Sequence, residues 1–459
     1  MTGIVCCDPA PFIDTRNPKV PDRAVSPEEH FSNAVEAHQA GRLDEAERTY
    51  RYLLGLAPGH PEVLNLLGVV HAQRGQPEEA ITLISQALDA DPGHSGARYN
   101  LGTALLDVGR PAEAVEAFRA VVEQDPGNAD AAFNLGMALN AVDRPGEAAQ
   151  AFRHAVEADP ANAAAMAECA ACLVKTGDPA GAVALLDRAV AIAPDNADMW
   201  FDLGLTHLGR RAWQEAIAAF DRALDLEPWH VRSIAFKGTA LHEAGQDDAA
   251  TALIDLDRFI QVGPLASGGD DALPRQALCE AVASHPSLVW ERPETTTTRG
   301  AQSANLVDET DPAIAAFVAL LKARIEAYVA TVVPDPGHPF TRRVPSRWRY
   351  SIWATILDRD GHQTPHLHPA GWLSGVYYAE VPDAVLDARN DAQAGWIEFG
   401  APGYGIEAVR PPKTRCIRPE PGTLVLFPSC FFHHTRPLES SGRRISIAFD
   451  VIPLEWATA

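Results

Sequence analysis

A proline recurs every 34 residues six times in succession, at Pro58, Pro92, Pro126, Pro160, Pro194 and Pro228. The same interval links Gly68, Gly102, Gly136, Gly204 and Gly238, with Ala170 in the one gap, and it links Ala80, Ala114, Ala148, Ala182, Ala216 and Ala250. An ordinary globular core has no need of such a clock. A fixed period of this length marks stacked helical hairpins, each burying its apolar face against the next. The period stops near residue 260, so half the chain is set aside as a surface for holding something, and the chemistry must be sought beyond it.

The clearest unit runs from Ala129 to Asn162, ADAAFNLGMALNAVDRPGEAAQAFRHAVEADPAN. Its first helix presents Phe133, Leu135 and Leu139 around Gly136, where a side chain would hold the neighbouring helix away. A turn follows at Asp143–Pro145, then a second helix with Ala148, Phe152 and Ala155. Pro160 ends that helix, because it lacks an amide donor and restricts the residue before it. The pattern resembles the tetratricopeptide repeat over roughly residues 29–262, about seven units. Unit one is degenerate in its first helix. Unit seven lacks the closing proline and runs into Leu253–Phe259 as a cap or a junction. The resemblance implies a groove that accepts an extended peptide or a partner helix; docking on the chain's own C-terminal part, or dimerisation, is the plainer alternative. Within unit five, Cys169 and Cys172 lie where helix packing demands small residues, and no second ligand pair accompanies them.

With 459 residues the chain exceeds one compact core, and 46% hydrophobic with 22% charged residues is the composition of a folded protein. From Thr341 to the end there are 13 Lys+Arg against 12 Asp+Glu, so essentially the whole net charge of −23 falls on the first 340 residues. Such an acidic surface repels phosphate backbones, which argues against nucleic acid. It would suit a basic partner, though acidity most often serves solubility. The seven scattered cysteines suit a reducing compartment. No secretory signal and no 18-residue apolar run is present, so no membrane is expected and the cytoplasm is the expected location.

The first 28 residues are proline-rich and aperiodic and are expected to form a flexible tail. After Gln261 the pattern changes. Gly263–Asp271 reads as a turn or linker. Ala277–Ser284 and Ala313–Val332 read as amphipathic helices. Beyond Arg342 a period of two takes over, with strands expected at Trp348–Leu357, Leu373–Glu380, Trp396–Phe399, Thr423–Phe427 and Ile445–Ile452. Short strands at such intervals suggest a sandwich or jelly roll.

Two passages concentrate the polar residues of this region. The first is Gly361-His362-Gln363-Thr364-Pro365-His366-Leu367-His368-Pro369, leading to Trp372 and Tyr377-Tyr378. The second runs from Pro421 through Phe432-His433-His434-Thr435 to Arg443-Arg444-Ile445-Ser446. On an extended segment residues i and i+2 share a face, so His366 and His368 can reach one ion, with His433 as the third ligand from a facing strand. Arg444 opens a late strand and shares its phase with Ser446, which favours it over Arg443. An arginine buried beside a metal needs an anion, and a dicarboxylate would supply one through paired hydrogen bonds.

These motifs resemble the iron(II)- and 2-oxoglutarate-dependent oxygenases, whose double-stranded β-helix carries H-x-D/E…H and then a basic residue on a late strand. More narrowly, HQTPHLHPAGWLSGVYYAEVP, GTLVLFPSCFFHHT and RRISIAFDVIP look like a mostly bacterial group of such oxygenases, H-x-H…H…R-x-S, often fused to tetratricopeptide repeats. That likeness reaches upstream to His285-Pro286-Ser287-Leu288 and Thr298-Arg299-Gly300-Ala301-Gln302. It implies a jelly-roll domain with flanking helices over residues 255–459, its core from about 342, behind repeats over 29–254. It implies Fe(II) on His366, His368 and His433, with Arg444 and Ser446 on the far carboxylate of 2-oxoglutarate. O2 would be the second cosubstrate, and C–H hydroxylation would be coupled to decarboxylation of 2-oxoglutarate to succinate. The superfamily's carboxylate position is His368 here. Either the site is a three-histidine variant, or Asp358 or Asp360 completes it. His362 and His434 are expected in loops or at the surface. One of Tyr377 and Tyr378 lines the pocket. The tryptophans are core, with Trp372 the candidate for the pocket mouth. A peptide or protein held in the repeat groove is the expected substrate. The alternatives are a repeat scaffold with a non-catalytic barrel, or an oxygenase of a small molecule; a cupin-like isomerase or thiol dioxygenase would leave Arg444 and Ser446 unexplained. The oligomeric state is not written in the sequence.

Overall fold

The computed structural model describes residues 26–265, 273–293, 295–387, 390–439 and 442–457. Its internal contacts separate a unit ending at Pro194 from one beginning at Asp195. The expected tail lies outside the described residues as far as residue 25. Ser26 already caps the first helix, its hydroxyl accepting from Glu29 N at 3.2 Å.

The first unit consists, among the described residues, of helices α1–α10 between Pro27 and Ile192, arranged as hairpins. In the repeat singled out above, α7 (Ala129–Ala141) is capped by Asn128, which accepts from Ala131 N at 2.9 Å. Helix α8 (Pro145–Ala158) starts on a proline whose missing N–H would have had no helical partner. The turn between them needs one left-handed residue. Glycine supplies it at Gly41, Gly75, Gly109 and Gly177, and Asp143 supplies it here with φ 55°. A Cβ on Gly136 would lie 2.6 Å from the Phe152 ring, and one on Gly102 2.7 Å from Phe118, so the periodic glycine is the price of close helix contact. Where Ala170 replaces it, the buried residue sixteen positions on is the slimmer Leu186. Cys169 and Cys172 are free and buried, as packing required. One buried ion pair stands out: His94 Nε2 and Glu62 Oε2 lie 2.8 Å apart, and Glu62 holds the imidazole above its ordinary pKa of 6.5.

The second unit begins with two more hairpins, α11 (Ala197–Gly209) with α12 (Trp213–Leu226) and α13 (Val231–Glu243) with α14 (Asp247–Leu253), followed by α15 (Leu256–Phe259). Then come β1 (Gln261–Pro264), α16 (Arg275–Ala283), β2 (Val289–Trp290), β3 (Thr297–Gln302), α17 (Pro312–Val329) and α18 (Pro339–Arg342). The remainder is β4 (Pro345–His366), β5 (Leu373–Glu380), α19 (Asp383–Leu386), β6 (Ile397–Phe399), β7 (Arg415–Ile417), β8 (Thr423–Pro428), β9 (His433–Thr435) and β10 (Arg444–Trp456). Both expected helices and all five expected strands are present. The linker is corrected at its start: Gln261–Pro264 pairs with β8, and residues 266–272 are not described. The strands pair antiparallel in the order β1-β8-β5-β10-β4-β9-β6-β7, with β3 also on β4 and β2 on β3. Among the described residues β1 and β7 do not pair, so the pairing gives an antiparallel, half-barrel sheet without the closure expected of a jelly roll. One apolar core runs from Phe201 and Phe236 of the hairpins to Phe432 and Val451 of the sheet. The repeat period and the packing therefore divide the chain at different places: the last two hairpins share their core with the sheet. Among the described residues no helix is long and apolar enough to cross a membrane.

Candidate metal centre

Strand β4 is 22 residues long because it serves two parts of the sheet. Up to Leu357 it pairs with β10, and at His366 it faces His433 of β9. Between them the chain bends at Asp360, with φ 63°, and Gly361, where a Cβ would meet the Arg299 and Asp358 carbonyls at 2.7 Å. That bend brings His366 opposite His433. His368, just past the strand end, completes a triangle: ring centroids are 4.3 Å apart for His366–His433, 5.3 Å for His366–His368 and 5.0 Å for His368–His433. One ring nitrogen of each lies within 4.8 Å of the others.

Their hydrogen bonds set the tautomers. His366 Nδ1 donates to Thr364 O at 2.7 Å, and His433 Nδ1 to Phe431 O at 3.0 Å. His368 Nδ1 donates to Asp450 Oδ1 at 2.5 Å. Carbonyl and carboxylate oxygens only accept, so each Nδ1 carries a proton and each Nε2 is the nitrogen left to face an ion. Burial, reinforced by the neighbouring His368, pushes the His366 pKa down to about 3, and burial among the other histidines pushes His433 well down. Both rings are neutral near pH 7, the form that binds metals. Phe427 packs 4.6 Å from the His433 ring, and Trp353 5.5 Å from His368.

Strand β10 carries the rest. Arg444, Ser446, Ala448 and Asp450 share one face by alternation. Asp450 accepts from His368 and also from Ser374 Oγ at 2.6 Å, while Ser374 lies 2.7 Å from Ser429 Oγ. Arg444 is 1% exposed. Its Nη1 donates to Gly395 O at 3.1 Å, its guanidinium lies 4.9 Å over the Tyr378 ring, and its Nε has no partner. Thr355, Ser446 and Tyr378 stand in register across β4, β10 and β5; Thr355 Oγ1 is also unpartnered, and the Tyr378 hydroxyl lies against the Arg444 guanidinium. A buried cation with an unpartnered Nε, and with no acid paired to it among the described residues, would suit an anionic ligand. Three clustered imidazoles would suit a divalent cation, and the buried arginine a carboxylate-bearing ligand.

Of the five residues named from the sequence, His366, His368 and His433 meet in one cluster, while Arg444 and Ser446 lie on the face of β10 that also carries Asp450. Arg443 points elsewhere, bonded to Glu380 at 2.7 Å. Neither reserve carboxylate joins the cluster: Asp358 is exposed, and Asp360 pairs with Arg299 at 2.6 Å. His362 bonds Asp360 O at 3.1 Å, and His434 faces Glu398 at 3.4 Å. Tyr378 is the tyrosine of the site, while Tyr377 packs on Phe317. Trp372 is not at a mouth; it is fully buried and stacked 4.8 Å from Phe340, and Trp353 is the tryptophan beside the histidines. Asp450 was missed, although it continues the phase of Arg444 and Ser446 and is the one acid in an otherwise apolar run. A cavity of about 190 Å³ between α13, α14 and the 400–413 segment is lined by Ala235, Ile254, Pro402 and Phe432 and includes none of the three histidines.

A family model described as "Putative 2OG-Fe(II) oxygenase" matches residues 351–450. Tetratricopeptide-repeat models match residues 99–163 and residues 37–105 and 139–203. The chain therefore carries tetratricopeptide repeats and an oxygenase-type domain. No curated protein matches it. Among solved structures, MamA is 25% identical over 35% of this chain and 94% of its own, with a TM-score of 0.34. YrrB, described as a TPR protein with an unusual peptide-binding site, is 20% identical over 41% and 97%, with a TM-score of 0.39. Pseudomonas aeruginosa pilF is 18% identical over 46% and 96%, with a TM-score of 0.40.

Proposed function

We propose that this protein is an Fe(II)- and 2-oxoglutarate-dependent hydroxylase acting on a peptide or protein recruited by its repeats. In this reading the repeats span 29–254, and the catalytic domain, a double-stranded β-helix, spans 255–459. The observation that carries the reading is the convergence of three imidazoles, with a buried arginine that has no acid paired to it among the described residues on the face of β10 that carries Asp450. His366, His368 and His433 would hold the iron, and Arg444, Ser446 and Tyr378 the distal carboxylate of 2-oxoglutarate. When bound, the pair supplies the oxidation: 2-oxoglutarate, O2 and a C–H bond become succinate, CO2 and C–OH. The chain's share is to hold and orient. Asp450 fixes the tautomer and direction of His368, the two backbone carbonyls do the same for His366 and His433, and Phe427 and Trp353 keep water from the ligand side. Three imidazoles leave the metal more positive than two with a carboxylate, which favours retention of an anionic cosubstrate. The repeat matches support a macromolecular substrate by analogy of architecture. The free, buried cysteines suit the reducing cytoplasm, where we place the protein.

The test is anaerobic. Purified protein with Fe(II) should develop a weak visible charge-transfer band on adding 2-oxoglutarate, and Arg444→Ala and His433→Ala should each abolish it. Bound iron without a band would point to a three-histidine dioxygenase that does not use 2-oxoglutarate. No iron at all would leave a repeat scaffold.

A further inference from the structure

The residue after each periodic proline is Gly59, Gly93, Gly127, Ala161 or Asp195, and then Trp229. A small or polar residue suits a solvent-facing turn. An indole there serves no repeat packing, so its reason must lie outside the hairpin pattern. The structure supplies one. Trp229 Nε1 donates to Gly371 O at 2.9 Å, across 142 residues of sequence, and its ring packs 5.9 Å from Phe340.

Gly371 closes the turn that carries the second histidine of H-x-H. Its N–H donates to His368 O at 3.1 Å. It has no room for a side chain, because a Cβ would run into Ser429 Oγ. Ser429 accepts the His368 N–H on its own carbonyl at 3.1 Å, and its hydroxyl joins the Ser374–Asp450–His368 network. The next residue, Trp372, stacks on Phe340 and donates to Phe340 O at 2.8 Å. The turn at 368–371 is therefore gripped from within by Ser429 and Asp450, and from outside by Trp229, Phe340 and Trp372.

We infer that Trp229 is a positioning residue for the metal centre: through Gly371 O it holds the turn that sets where His368 points, which makes the junction between α12 and α13 a working part of the site. This deepens the metal reading above and rests on it. A side chain touching no ligand atom can still matter, because outer supports of a metal ligand typically govern about 10–100-fold in metal affinity.

The experiment uses the full-length chain, native, Trp229→Phe and Trp229→Ala, titrated anaerobically with Co(II) and followed by visible d–d absorption. The alanine variant should bind about tenfold more weakly and show an altered d–d spectrum, which mere loss of packing elsewhere would not produce. The phenylalanine variant, keeping a ring against Phe340 but no N–H, should fall between, and it decides the matter should the alanine variant fail to fold. Native affinity within twofold and an unchanged spectrum in Trp229→Phe, together with the same in any folded Trp229→Ala, would overturn the inference while leaving the metal centre standing. Native protein whose Co(II) spectrum is indifferent to His433→Ala would overturn both.

Discussion

The hairpins before Pro194 repeat one solution at each interval of 34 residues, whereas the sheet makes each of its decisive contacts once. Phe152 under Gly136 has its counterpart in Phe118 under Gly102, both within a single hairpin. His366 meets His433, His368 meets Asp450, and Trp229 meets Gly371, each pair joining residues at least 67 positions apart. Redundant local contacts make a surface that tolerates the loss of any one, because each unit depends mainly on its neighbours. Single long-range contacts make a centre in which each member matters, because ligand geometry has little slack. The hairpins at 197–253 follow the first rule in sequence and the second in packing.

The largest effect should come from His433→Ala, which removes a ligand and should reduce 2-oxoglutarate-dependent succinate formation by at least about a hundredfold while far-UV circular dichroism stays unchanged. Phe152→Ala turns the test on the other region. Emptying that buried site should cost about 3–5 kcal/mol in urea unfolding of the repeats yet leave Co(II) uptake at the histidines intact. If it also weakened Co(II), the contrast between the regions would be wrong. Asp450→Asn keeps the shape but swaps an ionised acceptor for a neutral amide, and should weaken metal binding about 10–100-fold, read by chelator competition. The smallest effect is in titration, followed by imidazole chemical shifts in metal-free protein. His94, paired with Glu62, should remain protonated above pH 6.5, so the stability it adds is full below that value and is lost as the pH rises through its raised pKa. His366 should stay neutral down to about pH 3. Since its folded pKa is depressed, the folded state gains stability as the pH rises from about 3 to 6.5. The two histidines should thus tilt stability in opposite directions.

Much of this was legible beforehand. Helix boundaries follow from caps, prolines and the small-residue period, all local signals. The H-x-H pair follows from strand alternation, and Arg444 was separable from Arg443 by its phase with Ser446. The same phase contained Asp450, but nothing in a one-strand pattern says that an acid on β10 will meet an imidazole 82 residues earlier. Trp372 was misplaced for a related reason: alternation ranks faces, but it does not say which aromatic on a face is covered by α18.

By itself, the sequence determined the repeat, its period, the strands and the identity of the candidate ligands, because these depend on interactions within a helical turn, a hairpin or a two-residue alternation. Only the tertiary structure decided that Asp450 orients His368, that Tyr378 and not Tyr377 faces Arg444, and that Trp229, from the turn before the last hairpin, grips the histidine turn. Those pairings are set by cross-strand register and by how the last hairpins pack on the sheet, and burial then makes each unsatisfied donor or acceptor costly enough to hold its partner in place.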